Sequence, residues 1–158
     1  MTPLLRRLLL RDEGFRRSCY VDSLGYYTIG IGKLIDARKG GGITLEEALY
    51  LLENEVREKT RELGAHLPWI SRLDPVRHAV LVSMAFQLGV AGVLAFRNTL
   101  KAAEEGRWND AADGMLRSKW ATQTPGRALR LAEAFRTGDE GALRLDEEPP
   151  YPPLPPHF

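Results

Sequence analysis

One stretch constrains the fold of this chain more than any other. Residues 17–34 are built from aromatic and β-branched residues, with Cys19-Tyr20-Val21 on one side and Tyr26-Tyr27-Thr28-Ile29 and Ile31 on the other. That composition favours strands. Asp22-Ser23-Leu24-Gly25 supplies the turn between them, so the block reads as a hairpin. Gly30 and Gly32 then leave room for something to approach its backbone closely. A lone hairpin is marginal in water and needs partners. The flanking sequence is helical, so the expected class is α+β, mainly helical.

The helical segments carry their own punctuation. Residues 3–12 place Leu4, Leu5, Leu8 and Leu9 on one side, with Gly14 just past the end. Thr44-Leu-Glu-Glu47 is a capping-box pattern. It opens a helix to about Leu63 through Leu45, Ala48, Leu49, Leu52 and Val56. Such a rod spans roughly 30 Å, enough to cross a small domain. Asp74-Pro75 starts the next helix, with Asp at the N-cap and Pro at the first helical position, and it runs to about Leu88. Further helices are predicted at about 97–105, 108–117 and 126–136. Trp69, Trp108 and Trp120 lie in amphipathic helical segments and read as core rather than as ligand-stacking surfaces, and Cys19 reads as a small buried hydrophobe.

With 158 residues there is room for one domain or two small lobes. Twenty-two basic against 21 acidic residues give a net charge of +1, which excludes a global nucleic-acid-binding charge. A single cysteine excludes an internal disulfide or cysteine-built zinc site, and three scattered histidines argue against a metal site. No metal or cofactor is expected. The N-terminal apolar run is three leucines broken by arginines, too short for an export signal or membrane span, so no stable membrane insertion is expected. Residues 149–158 hold six of the ten prolines and read as an extended tail, dispensable for catalysis.

The chemistry-bearing order is a helix ending in an acid, a turn holding a second acid, and a strand with a threonine: Glu13-Gly14, Asp22, then Thr28. Glycoside hydrolysis uses two carboxyl groups across a groove, one to protonate the leaving oxygen and one to manage water or the sugar cation. Taken alone, a pair among 21 acids is a weak signal. The surrounding blocks are more specific. Asp12-Glu13-Gly14, Tyr20-x-Asp22, Gly25-Tyr-Tyr-Thr-Ile-Gly-Ile-Gly32, Phe86-Gln87-x-Gly89, Arg107-Trp108-x-x-Ala111-Ala112, Trp120-x-x-Gln123-Thr124-Pro125-x-Arg127-Ala128 and Phe135-Arg136-Thr137-Gly138 occur in order over residues 7–143. In this the chain resembles the phage-type lysozymes, the muramidases of glycoside hydrolase family 24.

The resemblance implies a small N-terminal lobe at about 13–43, a connecting helix at about 44–63, and a helical lobe at about 64–143 that takes in the helix 3–12. It implies Glu13 as general acid, Asp22 as base or electrostatic stabiliser, and Thr28 as a holder of the attacking water, with inversion at the anomeric carbon. Glycan contacts are implied at Gly32, Leu34, Ser83, Phe86 and Gln87; for Gln87, an ordinary polar residue at a helix end is the competing reading. Arg127 and Arg130 lie one helical turn apart and are implied to stand beside Glu13 and Asp12. A dry site raises the pKa of an acid such as Glu13 and an arginine lowers it, so its value stays open.

Two departures stand out. Lys33 replaces the family histidine after the Ile-Gly-Ile-Gly run, and Glu55 falls at the position of that histidine's aspartate partner, so a Lys33–Glu55 pair is expected. The segment from Lys33 to Thr44 is also shorter than the family's. The implied function is hydrolysis of peptidoglycan glycan strands by a monomeric phage endolysin. It is made in the host cytoplasm and reaches the wall once the membrane is permeabilised. Two rivals remain: a wall-binding module that does not cut, and a transglycosylase that closes an anhydro ring.

Overall fold

The computed structural model describes residues 3–35 and 42–144, without the side chains of Leu4, Arg6, Leu8, Asp12 and Glu13. The tail 149–158 and most of the shortened segment after Lys33 lie outside the described residues. The chain divides into two compact units between Tyr50 and Leu51.

The first unit opens with α1 (Pro3–Glu13), followed by β1 (Arg16–Val21), β2 (Tyr27–Gly30) and β3 (Lys33–Leu34). Helix 3–12 was expected with the helical lobe; it falls instead in this unit. The three strands form an antiparallel sheet in the order β1-β2-β3. Tyr20 stands opposite Thr28, and Thr28 opposite Leu34. The register of β1 shifts between Arg16 and Tyr20. The expected hairpin is therefore present, with a short third strand added where the chain doubles back at Ile31-Gly32. Among the described residues of this unit only Thr28 is buried. Cys19 corrects the expectation of a buried thiol: it is exposed, because its strand presents residues 16–19 to solvent.

The second helix, α2 (Leu45–His66), starts as the capping box predicts. Glu47 N–H donates to Thr44 Oγ1 at 3.1 Å, and Thr44 N–H donates to a Glu47 carboxylate oxygen at 2.8 Å. Two of the four N–H groups that a helix start leaves orphaned are satisfied in this way. The helix runs three residues beyond the predicted end and buries Leu63 completely.

The second unit, from Leu51, holds the hydrophobic core. A 3-10 turn at Pro68–Arg72, not anticipated from the sequence, inserts Trp69 and Ile70 into it. Then come α3 (Pro75–Leu94), α4 (Arg97–Glu104), α5 (Trp108–Leu116), α6 (Lys119–Gln123), α7 (Pro125–Thr137) and a closing 3-10 turn at Glu140–Leu143. Asp74 caps α3 as predicted, its carboxylate accepting the Arg77 N–H at 3.0 Å. The predicted end of that helix near Leu88 coincides with a kink at Gly89 (φ +73°), after which helix resumes to Leu94. Helix α3 has the length and hydropathy to cross a membrane, yet Val80, Leu81, Met84, Ala85, Val90 and Val93 are buried in the core. Helix α6 was not predicted; Ser118 caps it, accepting the Ala121 N–H at 3.1 Å. Trp69 and Trp120 are buried as expected, and Trp108 packs half-buried against Phe135 with ring centroids 5.9 Å apart.

Candidate active site

The Asp22 turn is a small hydrogen-bonded scaffold. Asp22 Oδ1 accepts the N–H groups of Leu24 and Tyr26, each at 2.9 Å. The backbone closes the same turn, Asp22 N–H to Tyr26 O at 2.9 Å and Gly25 N–H to Asp22 O at 3.0 Å. An aspartate is suited to this place because a short carboxylate reaches its own backbone two residues on. The second oxygen, Oδ2, lies 3.3 Å from Thr28 Oγ1, whose hydroxyl is also 3.3 Å from Tyr26 O. Thr28 is only 2% exposed, so its rotamer is fixed by its surroundings.

These contacts set the charge state of Asp22. The Tyr26 N–H has the largest effect, against partial desolvation, with Leu24 N–H and the Thr28 hydroxyl adding to it. Together they hold the carboxyl below its ordinary value. Asp22 is therefore an anion at neutral pH, fit to accept a proton or stabilise a cation and unfit to donate one. The Thr28 hydroxyl has one proton, directed to Asp22 or Tyr26, and its oxygen is in addition a hydrogen-bond acceptor.

The remaining candidates of this unit lie close by in the chain. Gly30 and Gly32 have φ of +69° and +73°. Glycine suits the left-handed backbone at both, and at Gly30 close packing is not the reason, since a Cβ there would meet nothing within 4 Å. Leu34 stands half-buried opposite Thr28. Glu13 is the last residue of α1, directly ahead of Gly14, and Asp12 precedes it. Their side chains lie outside those described, and with them the expected contacts to Arg127 and Arg130.

The expected Lys33–Glu55 pair is corrected. Lys33 Nζ lies 3.2 Å from Glu47 Oε1, so its partner is the acid on the first turn of α2. Glu55 sits two turns further along α2, exposed, beyond the unit boundary. The reason is local: the capping box already points the Glu47 carboxylate back toward the chain entering the helix.

In the second unit, Ser83, Phe86 and Arg127 come together. Arg127 Nη2 donates to Ser83 Oγ at 3.1 Å. All three line an apolar pocket of about 400 Å³ with Val56, His78 and Val82. His78 is a lining residue that the sequence reading missed, since a lone histidine on a helix carries no spacing signal. Gln87 is directed elsewhere. Its Oε1 accepts Trp120 Nε1–H at 2.9 Å, which leaves its NH₂ group and one oxygen lone pair for a ligand. Arg130 donates to Gly126 O at 3.3 Å.

A larger groove of about 650 Å³ on the same unit was also missed. Arg97, Arg117 and Lys119 line it together with Asn98, Thr99 and Gln123. None of the three cations makes an ion pair among the described residues. Arg97 lies far from Arg117 and Lys119 in sequence, and only helix packing brings it to them.

Comparison with known proteins fits this geometry. A family described as phage lysozyme matches residues 11–133. A probable T4-type lysozyme of Dictyostelium discoideum is 32% identical over 91% of this chain and 100% of its own length. The pre-baseplate central spike protein Gp5 of Enterobacteria phage T4 is 33% identical over 92% of this chain but only 30% of its own length. The peptidoglycan hydrolase gp36 of Pseudomonas phage phiKMV is 30% identical over 84% of this chain and 15% of its own. A hairpin that holds one carboxylate ionised, an acid at the end of the preceding helix, and a family match over most of the chain lead to one conclusion: this protein belongs to the phage lysozyme family and is a glycoside hydrolase of the lysozyme type.

Proposed function

We propose that the chain hydrolyses the β-1,4 bond between N-acetylmuramic acid and N-acetylglucosamine in peptidoglycan. Glu13 protonates the leaving oxygen, and Asp22 activates water or stabilises the sugar cation. The observation that carries this reading is the Asp22–Thr28 pair: a carboxylate kept ionised by its own turn, with a buried, fixed hydroxyl 3.3 Å away. An anion of this kind cannot supply the acid, and the resemblance to the family assigns that role to Glu13. A base acting through water inverts the anomeric configuration.

The apolar pocket at Phe86 and Ser83 suits the ring faces and acetyl groups of the glycan. The cation-lined groove of Arg97, Arg117 and Lys119 complements the carboxylates of the wall's peptide stems. The biological role proposed is that of an endolysin, acting on the wall after another protein has opened the membrane.

The test is clearance of a permeabilised Gram-negative cell suspension, followed by mass spectrometry and NMR of the products. One added water per cut and an initial α-anomer support the reading. Anhydro-sugar products establish a transglycosylase, and binding without cutting establishes a wall-binding module. Glu13→Gln keeps the shape and loses the acid proton, so activity should fall by about 10²–10⁴-fold. Activity within about tenfold of wild type removes Glu13 from the role.

A further inference from the structure

Strand β3 is two residues long and lies at the edge of the sheet, yet it stands directly against the strand that carries Thr28. Two residues make too few ladder bonds to hold an edge by themselves. Supplementary anchors are present. Ile35 N–H donates to Tyr27 O at 2.9 Å, and Gly42 N–H donates to Leu34 O at 3.0 Å. The third anchor is a side chain: Lys33 Nζ to Glu47 Oε1 at 3.2 Å.

Glu47 is not a casual surface partner. Its other oxygen, Oε2, accepts the Thr44 N–H at 2.8 Å, and its own N–H is held by Thr44 Oγ1 at 3.1 Å. The helix start has therefore already fixed the carboxylate before Lys33 meets it, and less side-chain entropy is lost on pairing than for two free surface chains. One carboxylate thus ties the N-terminus of α2 to the sheet edge.

We infer that Glu47 is a positioning residue for glycan binding: through Lys33 it fixes the edge segment 32–34 against the Thr28 strand. This rests on the reading that Gly32 and Leu34 contact the glycan. The Asp22–Thr28 pair is built by bonds within the turn and does not depend on β3. Loss of the anchor therefore loosens the binding edge and spares the reacting groups. The signature is a rise in KM at nearly constant kcat.

The experiment compares Lys33→Met, Glu47→Gln, the double variant and Lys33→Arg. The substrate is a soluble peptidoglycan fragment of defined chain length, and amide hydrogen exchange is measured in parallel. Glutamine at position 47 keeps an oxygen for the Thr44 N–H, so the helix start survives while the ion pair is lost. Both side chains are a little over two-fifths exposed, so KM should rise about two- to fivefold in each single variant, the range of an exposed ion pair. The double variant should be no worse, Lys33→Arg should restore KM, and the Ile35 and Gly42 amides should exchange faster in Lys33→Met. Unchanged KM in both single variants, a fall in kcat instead, effects that multiply in the double variant, or unchanged exchange at Ile35 and Gly42 would each overturn the inference. A wild-type chain that does not cleave the fragment overturns the functional reading itself. The exchange data still decide whether the pair anchors β3.

Discussion

Replacing Arg77 by Met tests how the helical unit is locked. Arg77 sits on the first turn of α3, and its side chain is 12% exposed. Its Nε donates to Phe135 O at 2.8 Å and its Nη2 to Arg136 O at 2.9 Å, two of the carbonyls that the end of α7 leaves without helical partners. Its Nη1 reaches Asp74 Oδ2 at 2.7 Å, and its guanidinium lies 4.3 Å from the centre of the Trp108 ring. One planar fork thus joins the start of α3 to the end of α7 and covers an aromatic face. A net charge-assisted bond is worth about 1.5–3 kcal/mol, and a cation–π contact about 0.5–2 kcal/mol. These terms share one group and do not add fully, so the expected loss is about 3–5 kcal/mol, a large part of the total stability of an ordinary domain. For a chain of this size that lowers Tm by roughly 6–20 °C. Lysine supplies one point charge in place of a fork and should recover less than half. The pH dependence has a definite sign. Burial raises the Asp74 carboxyl, but the Arg77 N–H, then its guanidinium bond and charge, outweigh it, and the group stays below its ordinary value. A depressed folded pKa stabilises fully above the unfolded value and is lost as pH falls through the folded one. The difference between wild type and Arg77→Met should therefore be flat from pH 5 to 8 and shrink below about pH 4. Urea denaturation followed by far-UV circular dichroism measures it. A loss under about 1 kcal/mol, or full stability in Arg77→Lys, refutes the reasoning.

Gly138 should resist substitution for a linked reason: it lies at φ +74°, and a Cβ there would stand 2.6 Å from Arg77 Nη1. Gly138→Ala should cost roughly 2–3 kcal/mol in wild type, and only the backbone part, about 1–2 kcal/mol, in the Arg77→Met background, as a double-mutant cycle by denaturation will show. Gln87→Met strands the Trp120 indole N–H in a buried site and should cost about 1–3 kcal/mol of stability; a rise in KM with unchanged Tm would instead make Gln87 a sugar contact. Asp22→Asn should lower kcat by about 10²–10⁴-fold. Because the Tyr26 N–H, with Leu24 N–H and the Thr28 hydroxyl, holds the Asp22 carboxyl below its ordinary value, any acid limb that it imposes on the wild-type rate should fall below about pH 4; an Asp22-dependent limb between pH 5 and 6 contradicts its ionised state.

Features whose partners lie within a few residues could be read from the residues alone. The Asp22 turn, the Thr44–Glu47 capping box and the Asp74-Pro75 helix start were all legible, because a polar side chain meets its own backbone over two to four residues whatever else the chain does. The ordered family blocks named the chemistry in the same way, since they report residue identity and not contact. Which distant groups meet was set by how the elements pack. Lys33 had several acids within reach by charge alone, and it pairs with Glu47 because the helix cap orients that carboxylate; Glu55 has no such orientation. Gln87 gives its oxygen to Trp120, 33 residues away, and Arg77 spans 58 residues to Phe135, contacts set by how α3, α6 and α7 pack. The groove of Arg97, Arg117 and Lys119 belongs to the same class. Cys19 turned outward for a related reason: strand propensity says that a residue fits a pleated surface, and the packing of the sheet decides which face of it meets water.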